Sequence, residues 1–380
     1  MKILHVITTL DVGGAEMHLL SQVRGQAVRG HEVRVVYLKG QGTLERDFRE
    51  AGAVHVGALG SSAALPMRLR EQIAWAEIVH THLLKSDMVG ALMATLSGKR
   101  SRLVASKHND EQVLKRPLVS FVHGILGNLP QRTIVLSDHV GRFVEQYGRV
   151  KHAKLRRIYY GLDPAPFERA NRDAGTTRGP LRESFGFAPD DVVFTCVARF
   201  AAQKAHDVLL KALSIARASP GGERVKLLLV GDDPFGDGRE KAERIASELA
   251  LGPACVFAGI RRDVPALMAM SDVFVMCSLW EGLGLVFLEA MATGIPVLAT
   301  RVSAVPEVVI EGETGMLVPP SDSEALARGM LELARDPELR RRLAERGRAR
   351  VREFFGLERM IEETLAVYRE VLQSAPPKGR

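Results

Sequence analysis

The stretch "VFVMCSLWEGLGLVFLEAMATGIPVLAT", residues 273 to 300, reads as a strand, a glycine loop, a short helix and a second strand. "VFVMCS" and "PVLAT" are short apolar runs of the kind a parallel sheet buries on both faces. Between them Gly282 and Gly284 mark a turn, and the segment from about Leu285 to Thr293 fits a helix. Strand, helix, strand is the βαβ unit, and the same alternation runs outward in both directions. The second half adds "VVFTCVAR", "KLLLVGD", "CVFAG" and "GMLVP"; the first half supplies "KILHVI", "EVRVVYL", "EIVHTH", "RLVASK" and "RTIVLS". The fold class is α/β, with two doubly wound parallel sheets in succession.

A chain of 380 residues exceeds the size at which one core stops growing, so two domains are expected. The junction is expected in the Gly-, Pro- and charge-rich stretch 161 to 191, which shows no sustained period. That reading places one domain at 1–168 and the other at 169–356. The tail from Arg340 to Leu372 is helical in pattern, a helix at 357–373 is expected to join the first domain, and "APPKGR" reads as a disordered end.

No run reaches the roughly 18 apolar residues that span a bilayer, which excludes an integral membrane protein. The opening "MKILHVITTL" is too short for a signal-peptide core and reads as a first buried strand. Cys196, Cys255 and Cys277 are odd in number and lack C-x-x-C spacing, so buried thiols of a cytoplasmic protein are expected rather than disulfides or a metal site. Net charge is +7, and it is unevenly placed: residues 1 to 168 carry 23 Lys and Arg against 15 Asp and Glu. The excess gathers at 99–102, at Lys115 and Arg116, and from Arg149 to Arg157. Either this is solvated surface, or the first domain meets an anionic partner such as a phosphorylated acceptor, an anionic membrane surface or nucleic acid.

Open parallel sheets bind ligands beyond the carboxyl ends of their strands, so chemistry is sought in the loops that follow them. After the first strand, Gly13 and Gly14 let a backbone approach an anion at a helix start, or simply make a tight turn; the spacing is not a dinucleotide fingerprint. After "VVFTCV", Arg199 and Lys204 can converge on a diphosphate, or be an ordinary surface pair. In "EGLGLVFLE", residues 281 to 289, Glu281 stands in the loop and Glu289 on the early helix turns. Each carboxylate can accept both hydroxyls of a vicinal diol, and the loop N–H groups can cap oxygens. A ribose and a hexose on either side of a diphosphate would satisfy both.

"FAAQKAHDVLL", "LLLVGD", the run from "VFAGIRRD" to "IPVLAT", and "VPEVVIEGETGMLVPPSD" together resemble the C-terminal domain of retaining glycosyltransferases of family 4. "GGAE", the "HTH" at 80–82 and "SKHND" at 106–110 resemble that family's first domain more weakly. The resemblance implies the GT-B fold, two Rossmann-like domains facing a central cleft, the first binding the acceptor and the second the nucleotide-sugar donor. It implies that Glu289 holds the donor ribose, and that Glu281 with the Gly282, Leu283, Gly284 and Leu285 backbone holds sugar and phosphate oxygens. Arg199 and Lys204 would neutralise the leaving diphosphate, His108 would lie near the transferred sugar, and Gly13 and Gly14 near the phosphates and acceptor; His80 and His82 are further candidates. His108, Glu281, Arg199 and Lys204 are thus the catalytic candidates.

The implied activity is metal-independent retaining hexosyl transfer, without a cofactor, from a UDP-sugar to a sugar or lipid-linked sugar in cell-surface polysaccharide or glycolipid synthesis. The partners are donor and acceptor, with an anionic membrane surface where the enzyme is peripheral at the inner face, and no nucleic acid. Two departures stand out: Ala205 where the family has glycine after the phosphate lysine, and Tyr160 in "YGLD" where it has asparagine. The acidic loop "GDDPFGDG" at 231–238 lacks metal-ligand spacing. Alternative readings are a GT-B sugar-nucleotide epimerase, for which no convincing set of first-domain carboxylates is present, and a non-catalytic nucleotide- or nucleic-acid-binding subunit, for which aromatic interleaving is missing.

Overall fold

A computed structural model describes residues 1–60, 64–233 and 236–374. The chain divides into two compact units: Met1–Gly161 together with the helix Leu357–Ser374, and Leu162–Gly356.

The first unit holds β1 (Lys2–Ile7), β2 (Glu32–Tyr37), β3 (His55–Ala58), β4 (Ile78–His82), β5 (Leu103–Lys107), β6 (Arg132–Val135) and β7 (Leu155–Arg157). They form one parallel sheet in the order β3-β2-β1-β4-β5-β6-β7. Every strand expected in the first half is present. β3 and β7 are additional, and both are short edge strands only partly buried, so neither needs the continuous apolar run by which a central strand is recognised.

The second unit holds β8 (Val192–Val197), β9 (Val225–Val230), β10 (Cys255–Gly259), β11 (Val273–Met276), β12 (Val297–Thr300) and β13 (Gly315–Val318). Its parallel order is β10-β9-β8-β11-β12-β13. In each sheet the order reverses beside the first strand of the unit, between β1 and β4 and between β8 and β11. That switch point opens a crevice at the strands' carboxyl ends.

The division falls between Gly161 and Leu162, at the start of the expected 161–191 stretch and before the 168/169 bound, and a helix, Ala165–Ser184, occupies much of that stretch although it shows no sustained period. The helix packs on the helix Val264–Met270 of its own unit. Its anchor is polar: buried Arg182 donates to the Met270 carbonyl at 2.8 Å and pairs with Asp272 at 2.6 Å, while Arg178 pairs with Asp272 at 2.5 Å. An arginine anchor leaves no apolar period to read.

The helical tail is two helices, Pro337–Phe354 and Leu357–Ser374. The second crosses to the first unit, where Met360, Ile361, Leu365 and Tyr368 join Ile3, Ile78, Val104 and Ile134 in one buried cluster. Full burial of such side chains contributes about 1.5–3 kcal/mol each. Gly25 permits this docking: a Cβ there would stand 2.0 Å from Ile361 Cδ1. "APPKGR" lies outside the described residues.

Candidate active site

In the second unit, the loops after β8 and β11 flank the switch point, and one backbone and one side-chain hydrogen bond tie them together. Leu279 N–H donates to the Gln203 carbonyl at 2.8 Å, and Gln203 Nε2 to the Trp280 carbonyl at 2.6 Å. This pairing brings two of the expected residues into contact: Lys204 Nζ forms an ion pair with Glu281 Oε1, an oxygen that also accepts from Ser278 Oγ at 2.6 Å. Glu281 is buried, and its charge and the lysine's are each compensated by the other.

Ala205 sits at φ 48°, ψ 46°, the left-handed conformation that glycine adopts without strain, and leads into the helix His206–Ala218. The loop therefore keeps the glycine-type backbone despite the substitution. Arg199, by contrast, is exposed, and its side chain has no partner among the described residues.

Gly284, at φ 80°, precedes the helix Leu285–Thr293, which has the bounds expected from the sequence. A Cβ on Gly284 would fall 2.5 Å from the Phe287 ring, so both backbone angle and space demand glycine. Gly282 and Leu283 are buried; the Phe287 N–H donates to the Gly284 carbonyl at 3.0 Å, and the Leu285 and Val286 N–H groups at the helix start are donors for an anion. Glu289 follows on this helix, half-buried and without a side-chain partner among the described residues. Burial pushes its pKa up to about 7. A carboxylate so placed is held in waiting for hydrogen-bond donors.

In the first unit, Gly13 is the extended N-cap of the helix Gly14–Val28, and Gly14 has open space at its α-carbon. Glu16 folds back over this helix start, 2.5 Å from where a Gly13 Cβ would be, and accepts from Thr9 Oγ1 at 2.7 Å. An anion arriving here competes with that carboxylate.

His108, just past β5, is buried, with Nε2 3.1 Å from His82 Nδ1 and Nδ1 3.0 Å from the Tyr160 hydroxyl. Burial, reinforced by the Lys107 charge, lowers its pKa to about 3. His80 and His82 share one face of β4, as H-x-H spacing on a strand requires, and His5 of β1 stands in register with His80. Beside them Lys107 pairs with Asp87 at 2.6 Å and lies 2.9 Å from His123 Nε2, all three buried. Sequence reasoning missed His5, Gln26, the Lys107–Asp87 pair and the part played by Tyr160. Only the H-x-H spacing offered a signal, because which strand lies beside "HTH" depends on sheet order.

Pro234 and Phe235 of the acidic loop lie outside the described residues. Asp233 accepts from the Gly236 and Arg239 N–H groups, each at 3.0 Å, and so shapes the following turn. The three cysteines are buried free thiols, with burial pushing Cys196 and Cys255 up to about 12. Among the described residues no helix is long and apolar enough to cross a membrane.

Two Rossmann-like units, each with its polar groups gathered at a switch point, define a class. The family Glycosyl transferases group 1 matches residues 178–350, and Glycosyltransferase Family 4 matches 12–166. The chain is 30% identical over 345 residues to the GDP-mannose-dependent alpha-(1-6)-phosphatidylinositol monomannoside mannosyltransferase of Mycolicibacterium smegmatis, covering 86% of each chain. It is 28% identical to the N-acetyl-alpha-D-glucosaminyl L-malate synthase of Bacillus anthracis, over 78% of this chain and 75% of that one. The Anabaena protein HepE, solved with UDP and glucose, superposes with a TM-score of 0.85 at 22% identity, over 99% of this chain and all of its own. The chain belongs to the family 4 glycosyltransferases. Its fold is GT-B and its activity is glycosyl transfer.

Proposed function

We propose that the protein moves a hexosyl group from a UDP-sugar to a sugar or lipid-linked sugar acceptor, with retention at the anomeric carbon. The observation that carries this reading is Glu289: a carboxylate without a side-chain partner among the described residues, its pKa raised to about 7 by burial, one helix turn beyond a glycine loop. Two ribose hydroxyls donating to it would supply the hydrogen bonds it lacks. The diphosphate would take the helix-start N–H groups and the charges of Arg199 and Lys204, which stabilise negative charge as the sugar departs. Glu281, held by Lys204 and Ser278, positions sugar hydroxyls, and the leaving phosphate accepts the acceptor's proton on the same face. With Arg199, the helix-start N–H groups and the Lys204 side of the ion pair to meet the diphosphate, transfer proceeds without a metal, and chelation by EDTA leaves the rate unchanged.

The first unit would bind the acceptor and an anionic membrane surface. The helix Pro117–Leu126 supports this, since Leu118, Phe121 and Ile125 are 75%, 56% and 57% exposed on one side, next to exposed Lys115 and Arg116. Sedimentation with phosphatidylglycerol vesicles should fall in high salt and in Phe121→Asp; equal binding to neutral vesicles would remove the electrostatic part. Such a location suits synthesis of cell-surface polysaccharide or glycolipid.

The deciding experiment is calorimetric titration with UDP, GDP, ADP and NAD, repeated on Glu289→Ala. UDP is expected to bind in the micromolar range, and the variant to lose about 1.5–3 kcal/mol, or roughly 10- to 150-fold. Preference for GDP would change the donor and leave the site; unaltered binding by the variant would take Glu289 out of it.

A further inference from the structure

The first unit buries a continuous run of imidazoles. His5 Nε2 lies 2.9 Å from Gln26 Oε1, and His5 Nδ1 lies 2.9 Å from His82 Nε2. His82 Nδ1 lies 3.1 Å from His108 Nε2, and His108 Nδ1 lies 3.0 Å from the Tyr160 hydroxyl. A neutral imidazole has one N–H and one bare nitrogen, so each link dictates the next. An amide oxygen can only accept, which puts the His5 proton on Nε2 and leaves Nδ1 to accept from His82. His82 then accepts at Nδ1 from His108, and His108 accepts at Nδ1 from Tyr160. All three rings carry the proton on Nε2.

A side branch agrees in sense. Gln26 Nε2 donates to the Tyr368 hydroxyl at 3.4 Å, that hydroxyl donates to His80 Nδ1 at 2.6 Å, and His80 Nε2 donates to Ser106 Oγ at 2.7 Å. One amide thus faces an acceptor-type partner on one side and a donor-type chain on the other.

We propose that Gln26 is a positioning residue that fixes the tautomer of His108 through His5 and His82, making the outer nitrogen of His108 a hydrogen-bond acceptor. Resting on the reading of His108 as a neighbour of the transferred sugar, this determines what that nitrogen recognises. It takes a hydroxyl that donates, from Tyr160 in the free protein or from a sugar, and rejects a carboxylate or carbonyl at the same place. The ring is not a general acid there, because its only N–H is given to His82. His5, His80 and His82 also offer three nitrogens within 4.8 Å of one another, a spacing that could hold a metal ion. The hydrogen-bond reading accounts for both nitrogens of all three rings, and a metal ion would have to displace those bonds to bind.

The test is a long-range proton–nitrogen NMR spectrum of histidine-labelled full-length protein, which reports the tautomer of each ring without requiring activity. The expected result is Nε2–H for His5, His82 and His108. In Gln26→Leu, a mixture of tautomers appears at His108; Gln26→Glu, which still offers an accepting oxygen, restores Nε2–H; Tyr160→Phe leaves the tautomer unchanged. In a transferase assay, Gln26→Leu lowers kcat about tenfold with donor KM unchanged, and the glutamate variant recovers it. An Nδ1–H on His108 in the unaltered protein, no change in Gln26→Leu, or zinc that copurifies and perturbs these nitrogens would each overturn the proposal. Absence of transfer in the unaltered protein would instead count against the transferase reading, with the NMR result standing alone.

Discussion

Glu289 illustrates how a single residue can be read from its surroundings. Because its pKa is near 7 in the free protein and the diol needs its ionised form, UDP binding below pH 7 must first release a proton. Affinity should then fall about tenfold per pH unit below 7. The UDP phosphate titrates nearby, so the control is Glu289→Gln, in which calorimetry from pH 6 to 8 should show a flatter dependence; parallel curves would mean that Glu289 does not touch the ligand. Ala205 makes a different prediction. Its left-handed backbone is strained for any residue with a Cβ, so Ala205→Gly should raise stability by about 1 kcal/mol and the thermal midpoint with it. A lower midpoint would show that the methyl group's packing outweighs the strain.

At the scale of elements, the docking of Leu357–Ser374 rests on one missing side chain and one acid. Gly25→Val should overpack against Ile361 and cost about 1–3 kcal/mol by chemical denaturation, and adding Ile361→Ala should recover part of it. Additive losses would mean that the two positions do not meet. Farther along, Glu370 pairs with Arg156 at 2.6 Å and Arg132 at 2.7 Å, and hydrogen bonds from Arg156 and then Arg132 hold its pKa down to about 2. Its contribution is present above the ordinary carboxylate range and is lost as pH falls toward 2.

The elements legible in the sequence were those whose physics is local. Central strands declare themselves by apolar runs, and the Leu285–Thr293 helix by its glycine borders. Edge strands β3 and β7, and a helix anchored by Arg182, carry no such mark. At the site, Lys204 and Glu281 could be named because each stands in a loop that follows an apolar strand and matches a family motif, but their pairing could not. Nor could His5 be joined to His82, since that contact exists only once β1 lies beside β4.

For the whole molecule, the uneven distribution of buried histidines sets the response to acid. Burial lowers His5 to about 4 and His108 to about 3, and drives His18, His80 and His82 well below 6.5. The unfolded chain therefore binds protons below pH 6.5 that the folded unit refuses, so stability falls as pH drops from 6.5 toward 3. Each such group adds about 1.4 kcal/mol per pH unit. Hydrogen exchange between pH 7 and 5, corrected for intrinsic rates, should show Met1–Gly161 losing protection ahead of Leu162–Gly356, where His206 is a buried histidine lowered to about 4. Equal loss in both units would mean that the histidines are not the acid-sensitive element.

The return of Leu357–Ser374 to the first unit also has a meaning in time. During synthesis, the strands that surround Ile3 and Ile78 leave the ribosome long before Met360 and Tyr368, which complete their cluster. At about 5–20 residues per second, the nascent first unit waits many seconds for its last helix while the whole second unit is made. Its assembly is closed only by a segment translated after the second unit, and a chain stalled at Gly356 would present the uncovered sheet face to chaperones.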